Sequence, residues 1–173
     1  MRIVAGAWRG RQIRAPEGDL VRPTGDRVRE AWMSIVNSAL PDARVLDLFA
    51  GSGALGLESL SRGAREAHFV ESAVKSLAAI TANVATLGAA DRAVIHRANA
   101  LRFIDALGGD RFDVAFADPP YDKGLATAVA ERWLERPFAD LLGIEHRADE
   151  TLPGEGERRK YGGTVITFYR VSS

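Results

Sequence analysis

The chain contains no cysteine. Disulfides, thiolate metal sites and cysteine nucleophiles are therefore excluded, and the cytoplasm is the expected setting. Histidine is scarce: His68, His96 and His146 stand far apart in sequence without ligand spacing, so a histidine-built metal site, and any metal, is not expected. No apolar run is long enough to span a bilayer, and Met1-Arg2-Ile3-Val4-Ala5-Gly6 lacks the apolar stretch of a signal peptide. Net charge is also missing, at a formal value of zero, so bulk charge does not announce a nucleic-acid partner. Lysine is almost absent, with three against 20 arginines. Arginine is the better bidentate phosphate binder, although genome composition produces the same bias. Residues 1–32 hold seven arginines against four acids, and Arg158-Arg159-Lys160 forms a second basic cluster.

What is present fits one domain. A length of 173 residues with 46% apolar and 27% charged residues is ordinary for a soluble globular protein. Residues 2–14 read as a small β-hairpin turning around Trp8-Arg9-Gly10, followed by a loop from Pro16 to Pro23. Asp26 to Leu40 keeps helical spacing through Val28, Ala31, Trp32, Ile35, Val36 and Ala39. Strands and helices then alternate, with strands at 45–49, 67–71, 93–96 and 112–117. Helices are expected at 54–62, 73–87, 101–107 and 125–134. A further strand over 141–145 and a terminal hairpin of 158–161 with 164–169 complete the pattern. The alternation predicts an α/β fold with a mostly parallel sheet, helices on both faces and an antiparallel hairpin at one edge.

Asp118-Pro119-Pro120-Tyr121 follows the strand Phe112–Ala117, where sites in open α/β sheets form. Two prolines fix their own φ and push the preceding residue into extended geometry. The resulting stiff corner can aim the Asp118 carboxylate and a main-chain carbonyl at a planar amine, with the Tyr121 ring beside it. A plain strand-ending loop is the competing reading. Val45 to Gly56 is a strand, a glycine-rich turn and a helix start, with Gly51, Gly53 and Gly56 in G-x-G-x-x-G spacing. Glu71 ends the next strand twenty residues on, where an acid binds both hydroxyls of a ribose. An adenosine-type cofactor is expected. Asp47 would repel a pyrophosphate but suits a ligand carrying an ammonium and a sulfonium. Asn99-Ala100 offers an amide and a main-chain N–H to an adenine edge. These two features favour S-adenosylmethionine over NAD. Taken singly, Asp47 also reads as a helix cap and Asn99 as a turn residue.

In this order the motifs resemble a class I methyltransferase acting on an exocyclic amine. Arg2-Ile3-Val4-Ala5-Gly6-Ala7-Trp8-Arg9-Gly10-Arg11 and Arg22-Pro23-Thr24-Gly25-Asp26-Arg27-Val28-Arg29-Glu30 resemble the opening of the RsmD family. Phe49-Ala50-Gly51-Ser52-Gly53-Ala54-Leu55-Gly56-Leu57-Glu58 and Lys160-Tyr161-Gly162 match further parts of it. The resemblance implies a Rossmann-like, seven-stranded methyltransferase domain over 26–173, with an RNA-contacting hairpin and loop extension over 1–25. It implies methylation of guanine N2 in bacterial 16S rRNA, on free rRNA or a 30S assembly intermediate; the sequence is silent on oligomeric state, and a monomer is the default expectation. Asp118, Pro119, Pro120 and Tyr121 would be catalytic. Asp47, Phe49, Gly51, Ser52, Gly53, Glu71, Asn99, Ala100 and Asp118 would hold the cofactor, with Arg22 and Thr24 at its methionine end. Trp8, Arg9, Arg11, Arg27 and Arg29 would hold RNA, against the alternative of a solvated basic face with a core tryptophan. Trp32 and Trp133 read as packing. Gly25 stands where the family pattern leads one to expect a second threonine. Competing functions are DNA adenine or protein glutamine methylation, an NAD(P)-dependent oxidoreductase, and an inactive RNA-binding assembly factor.

Overall fold

The computed structural model describes residues 1–18, 23–121 and 123–172. Helix α1 (Pro23–Val36) runs into a 3-10 turn (Asn37–Ala39). It begins three residues before the expected start because Pro23 occupies the first turn, where a missing N–H costs nothing. Then follow β1 (Arg44–Leu48), α2 (Ala54–Ser61), β2 (Glu66–Glu71), α3 (Val74–Leu87), β3 (Ala93–Arg97), α4 (Ala100–Ala106), β4 (Phe112–Ala117), α5 (Leu125–Glu135), β5 (Ala139–Arg147), β6 (Glu157–Tyr161) and β7 (Thr164–Arg170). Among the described residues no helix is long and apolar enough to cross a membrane.

The strands form one seven-stranded sheet in the order β3-β2-β1-β4-β5-β7-β6. The first five are parallel, and β7 runs antiparallel to both β5 and β6. Both faces are covered, so the central strands carry near-continuous apolar runs rather than a clean alternation. One core joins Val45, Val114 and Phe116 to Val28, Trp32 and Leu57. The other joins Leu46, Ala115 and Ala117 to Ile104, Val129 and Trp133. Strand order reverses between β1 and β4, and the loops following both open at the same edge.

The N-terminal hairpin is smaller than its sequence suggests. It keeps a single bridge, Arg2 with Gln12. Gly10 N–H still donates to the Ile3 carbonyl, but part of the intervening backbone bonds elsewhere: Val4 N–H and Ala5 N–H donate to the Glu58 carboxylate, and Trp8 N–H donates to Ser61 Oγ. Ile3 and Ile13 enter the same core as α1 and α2. Buried Asn83 on α3 fastens the end of this segment. It accepts from Arg14 N–H and donates to the carbonyls of Arg14 and Ser52, at 2.8 to 2.9 Å.

His68 and His96, distant in sequence, meet across β2 and β3. Their rings stack with centroids 5.2 Å apart, and His68 Nδ1 lies 2.9 Å from His96 Nε2. Among the described residues no group of three or more histidines and acids is arranged to hold a metal. Burial, the largest cause, depresses both pKa values; Glu66 and Asp110 raise that of His68, Arg44 lowers it, and His68 lowers that of His96. A base whose folded pKa is depressed favours folding while neutral, and that contribution is lost as pH falls. Stability is therefore expected to decline below about pH 6.5, the ordinary histidine value. Urea denaturation at pH 7 and pH 5 checks this, with a shallower decline expected in His96→Gln.

Candidate active site

Two cavities open at the edge where β1 and β4 end. The larger has a volume of about 1050 Å³ and is lined by Phe49, Glu71, Asn99, Ala100, Asp118, Pro119, Pro120 and Tyr121, among others. The smaller, about 280 Å³, is lined by Asp47, Gly51, Ser52, Trp32, Arg29 and Glu145, among others. Phe49, Gly25, Val28, Asp118 and Glu145 border both.

The glycine-rich turn is built as its spacing demands. Gly51 and Gly53 have φ of 58° and 81°. Phe49 is also left-handed, with φ of 55°, a conformation that costs a bulky residue energy and marks a functional turn. A Cβ built on Gly51 meets no atom within 4 Å, so the turn borders open space. A Cβ on Gly56 would lie 2.4 Å from the Phe69 ring, so only glycine lets α2 lie this close to β2.

Carboxylates hold this turn. Glu71 accepts from Gly51 N–H through one oxygen and from Ser72 and Ala73 N–H through the other, all at 2.9 Å. Asp47, 2% exposed, accepts from Gly56 N–H at 3.0 Å and so caps the first turn of α2. Asp47 is thus the helix cap that its position also allows, and it lines the smaller cavity. Burial drives its pKa well above the ordinary value; Gly56 N–H opposes this, and the charges of Asp118 and Glu71 add to it. An acid with a raised folded pKa carries a charge penalty that is absent below the ordinary pKa, about 3.8 here, and grows as pH rises. Asp47→Asn is therefore expected to be more stable than the wild type at pH 8, with the difference shrinking towards pH 4. Urea denaturation at the two pH values tests it, and an equal difference at both would contradict the assignment.

Asn99 caps α4, its Oδ1 accepting from Arg102 N–H at 3.1 Å, beside buried Ala100. At the end of β4, Asp118 is exposed while Pro119 is buried. The Tyr121 hydroxyl lies 3.1 Å from Thr164 Oγ1 at the start of β7. Burial raises the Tyr121 pKa above its ordinary value; Thr164 opposes the rise. The Arg147 guanidinium stands 5.7 Å from the Tyr121 ring centroid.

Of the five expected RNA contacts, only Arg29 lines one of these cavities. Trp8 packs by its N–H on Ser61, at the far end of α2, and its ring lies 5.2 Å from the Arg92 guanidinium. Arg11 donates to the Thr86 carbonyl near the far end of α3. Arg29, with a side chain 10% exposed, donates to the Arg2 carbonyl and faces Asp26 at 3.7 Å. It braces the N-terminal segment and lines the smaller cavity. Arg9 and Arg27 are exposed. Arg22 lies outside the described residues, and Thr24 is described only as part of the α1 backbone. Trp32 and Trp133 are buried as expected from helical spacing, with Trp133 Nε1 donating to the Ala139 carbonyl. Trp32, Glu145 and the segment Tyr161–Thr164 line the cavities without having stood out as site residues in the sequence. Tyr161 and Gly162 do fall in the closing family motif.

A family described as Conserved hypothetical protein 95 matches residues 1–170. Ribosomal RNA small subunit methyltransferase D of Escherichia coli K12 is 42% identical over 156 residues, covering 88% of this chain and 78% of that protein. This chain belongs to the RsmD family of methyltransferases. The family member of the same name from Haemophilus influenzae is 33% identical over 180 residues, covering 99% of this chain and 92% of its own. A solved structure of a Thermus thermophilus protein matches with a TM-score of 0.85 at 34% identity, covering 99% of each chain. Together with the strand order, this gives the Rossmann-like class I methyltransferase fold, as the RsmD motifs imply.

Proposed function

We propose that this RsmD-family chain is an S-adenosylmethionine-dependent ribosomal RNA methyltransferase that modifies the exocyclic N2 of a guanine in 16S rRNA. The supporting observation is that Asp118 borders both cavities, one floored by the glycine-rich turn and the other walled by Pro119, Pro120 and Tyr121. The relatives named ribosomal RNA small subunit methyltransferase D support an rRNA substrate.

The residues suit the cofactor. Gly51 borders open space, Glu71 stands beside it, and Asn99 with Ala100 closes the far wall of the larger cavity. Asp47 disfavours a pyrophosphate so close to the turn and favours a cationic ligand. When bound, S-adenosylmethionine supplies a methyl group on a positively charged sulfur that leaves as a neutral thioether. Glu71 would accept from the ribose hydroxyls, and Asn99 and the Ala100 N–H would meet the adenine edge. Asp47, Ser52 and Gly53 would border the methionine end, joined by Arg22 and Thr24.

The guanine N2 lone pair is delocalised into the ring, so the nitrogen is a weak nucleophile. Asp118 and the Pro119 carbonyl accept hydrogen bonds from the amine, fix its direction and favour positive charge building on nitrogen. The proton released from N2 passes to Asp118 or to water. Pro119 and Pro120 keep the acceptors rigid, and Tyr121 stacks on a base that must be out of its helix to reach them. Arg9 and Arg27, exposed, are proposed to meet phosphates, with Trp8, Arg11 and Arg29 acting through the segment they brace. The enzyme is proposed to act as a monomer.

Calorimetry with S-adenosylhomocysteine and with NADH, combined with transfer of labelled methyl to small-subunit rRNA from a strain lacking this gene, tests the reading. Binding of S-adenosylhomocysteine and labelled rRNA are expected. Preference for NADH, or cofactor binding without transfer, would sink it.

A further inference from the structure

Beyond the N-terminal segment and α1, the C-terminal hairpin also reaches the Asp118–Tyr121 corner. The turn between β6 and β7 lies at the same sheet edge, and Tyr161, Gly162, Gly163 and Thr164 line the larger cavity together with Lys123. Thr164 is also the residue hydrogen-bonded to Tyr121, so the hairpin and the expected base-stacking ring are one unit. β6 is the outermost strand, and its first four residues, Glu157-Arg158-Arg159-Lys160, are all exposed. Three of those four are cationic.

The cations differ in their engagement. Arg159 is held by the Glu157 carboxylate at 2.9 and 2.6 Å. Arg158 donates to the carbonyls of Ala148 and Glu150 at 3.2 and 3.5 Å. Lys160 and Lys123 are exposed and form no ion pair among the described residues. Cations on an edge strand also discourage strand pairing between molecules. That role does not require the hairpin turn to line the cavity or to hold Tyr121.

We propose that the β6–β7 hairpin, with Lys123 in the lining of the same cavity, forms a phosphate-binding rim that grips the RNA strand flanking the target base. The inference rests on the rRNA methyltransferase reading and adds a second surface to the phosphate contacts proposed for Arg9 and Arg27. Lys160 and Lys123 each take a phosphate, while Thr164 keeps Tyr121 turned to receive the base between them. A flexible, single-stranded flank suits such a rim, because its phosphates follow the displaced nucleotide.

The test compares wild type, the double variant Lys123→Ala with Lys160→Ala, and the double variant Lys123→Arg with Lys160→Arg. Binding of a fluorescent single-stranded 16S rRNA fragment is followed across a salt series, and S-adenosylhomocysteine affinity is measured in parallel. Two lost phosphate contacts should lower the magnitude of the log–log salt slope by about 1.4 and weaken binding about tenfold at 0.1 M salt. The arginine pair should bind like the wild type, and cofactor affinity should be unchanged in all three. An unchanged slope in the alanine pair overturns the rim while leaving the enzyme assignment intact. So does a loss seen only with assembled 30S particles, which would assign the surface to a ribosomal protein. Wild-type protein that binds neither rRNA nor cofactor would overturn the enzyme assignment and the rim with it.

Discussion

Asp118→Ala is expected to slow methyl transfer by about a thousandfold while S-adenosylhomocysteine affinity stays within about threefold of wild type. The asymmetry follows from position. Asp118 is exposed at the end of β4 and borders both cavities. The contacts assigned to the cofactor come from elsewhere, chiefly the Gly51 turn, Glu71 and Asn99. In the proposed mechanism Asp118 would act on the amine as charge develops there, and a preorganised acceptor has its largest effect at that moment. Asp118→Asn keeps one acceptor oxygen but loses the charge, and an intermediate loss is expected. Single-turnover transfer of labelled methyl, with calorimetry on the same preparations, separates the two effects. Turnover unchanged in Asp118→Ala would refute its role.

Glu58→Ala is expected to cost about 3 kcal/mol of stability, lowering Tm by about 6–12 °C. Glu58 is 1% exposed and accepts from Val4 N–H at 2.9 Å, Ala5 N–H at 3.1 Å and Arg62 Nε at 3.0 Å. Alanine would leave two main-chain donors and the Nε of Arg62, a largely buried side chain, without an acceptor, and a stranded buried group costs more than its bond contributes. The damage extends to the site. Met1, Ala15 and Pro16 form part of the wall of the smaller cavity, so loosening this segment should also weaken cofactor binding. Urea denaturation with and without S-adenosylhomocysteine measures both consequences. A change below about 0.5 kcal/mol, the range of ordinary surface substitutions, would contradict the docking role.

The alternating core was legible because its signals are local. Phe112–Ala117 appears as a strand with the expected bounds, since an apolar run between Gly108-Gly109 and a diproline has few other uses. The glycine turn and Glu71 were legible for the same reason: spacing along the chain specifies both the turn and the acid that holds it. What the sequence hid was pairing across distance. Glu58 meets Val4 from 54 residues away, and Tyr121 meets Thr164 from 43. Asn83 reaches Ser52 across 31 residues, and His68 reaches His96 across 28. None of these pairs leaves a periodic trace. The reduced N-terminal hairpin has the same origin, because Val4, Ala5 and Trp8 spend their N–H groups on α2 instead of on a partner strand. Trp8 and Arg11 stand out in sequence by aromaticity and charge, whereas the ends of α2 and α3 that they rest against are not visible there.

The chemistry assigned to the diproline corner is tested most directly by nucleoside mass spectrometry of 16S rRNA from cells lacking this gene. One N2-methylguanosine should be missing, should return when the wild-type gene is restored, and should stay missing with Asp118→Ala. A modification lost from a different base or a different atom, or an unaltered nucleoside profile, would contradict the account.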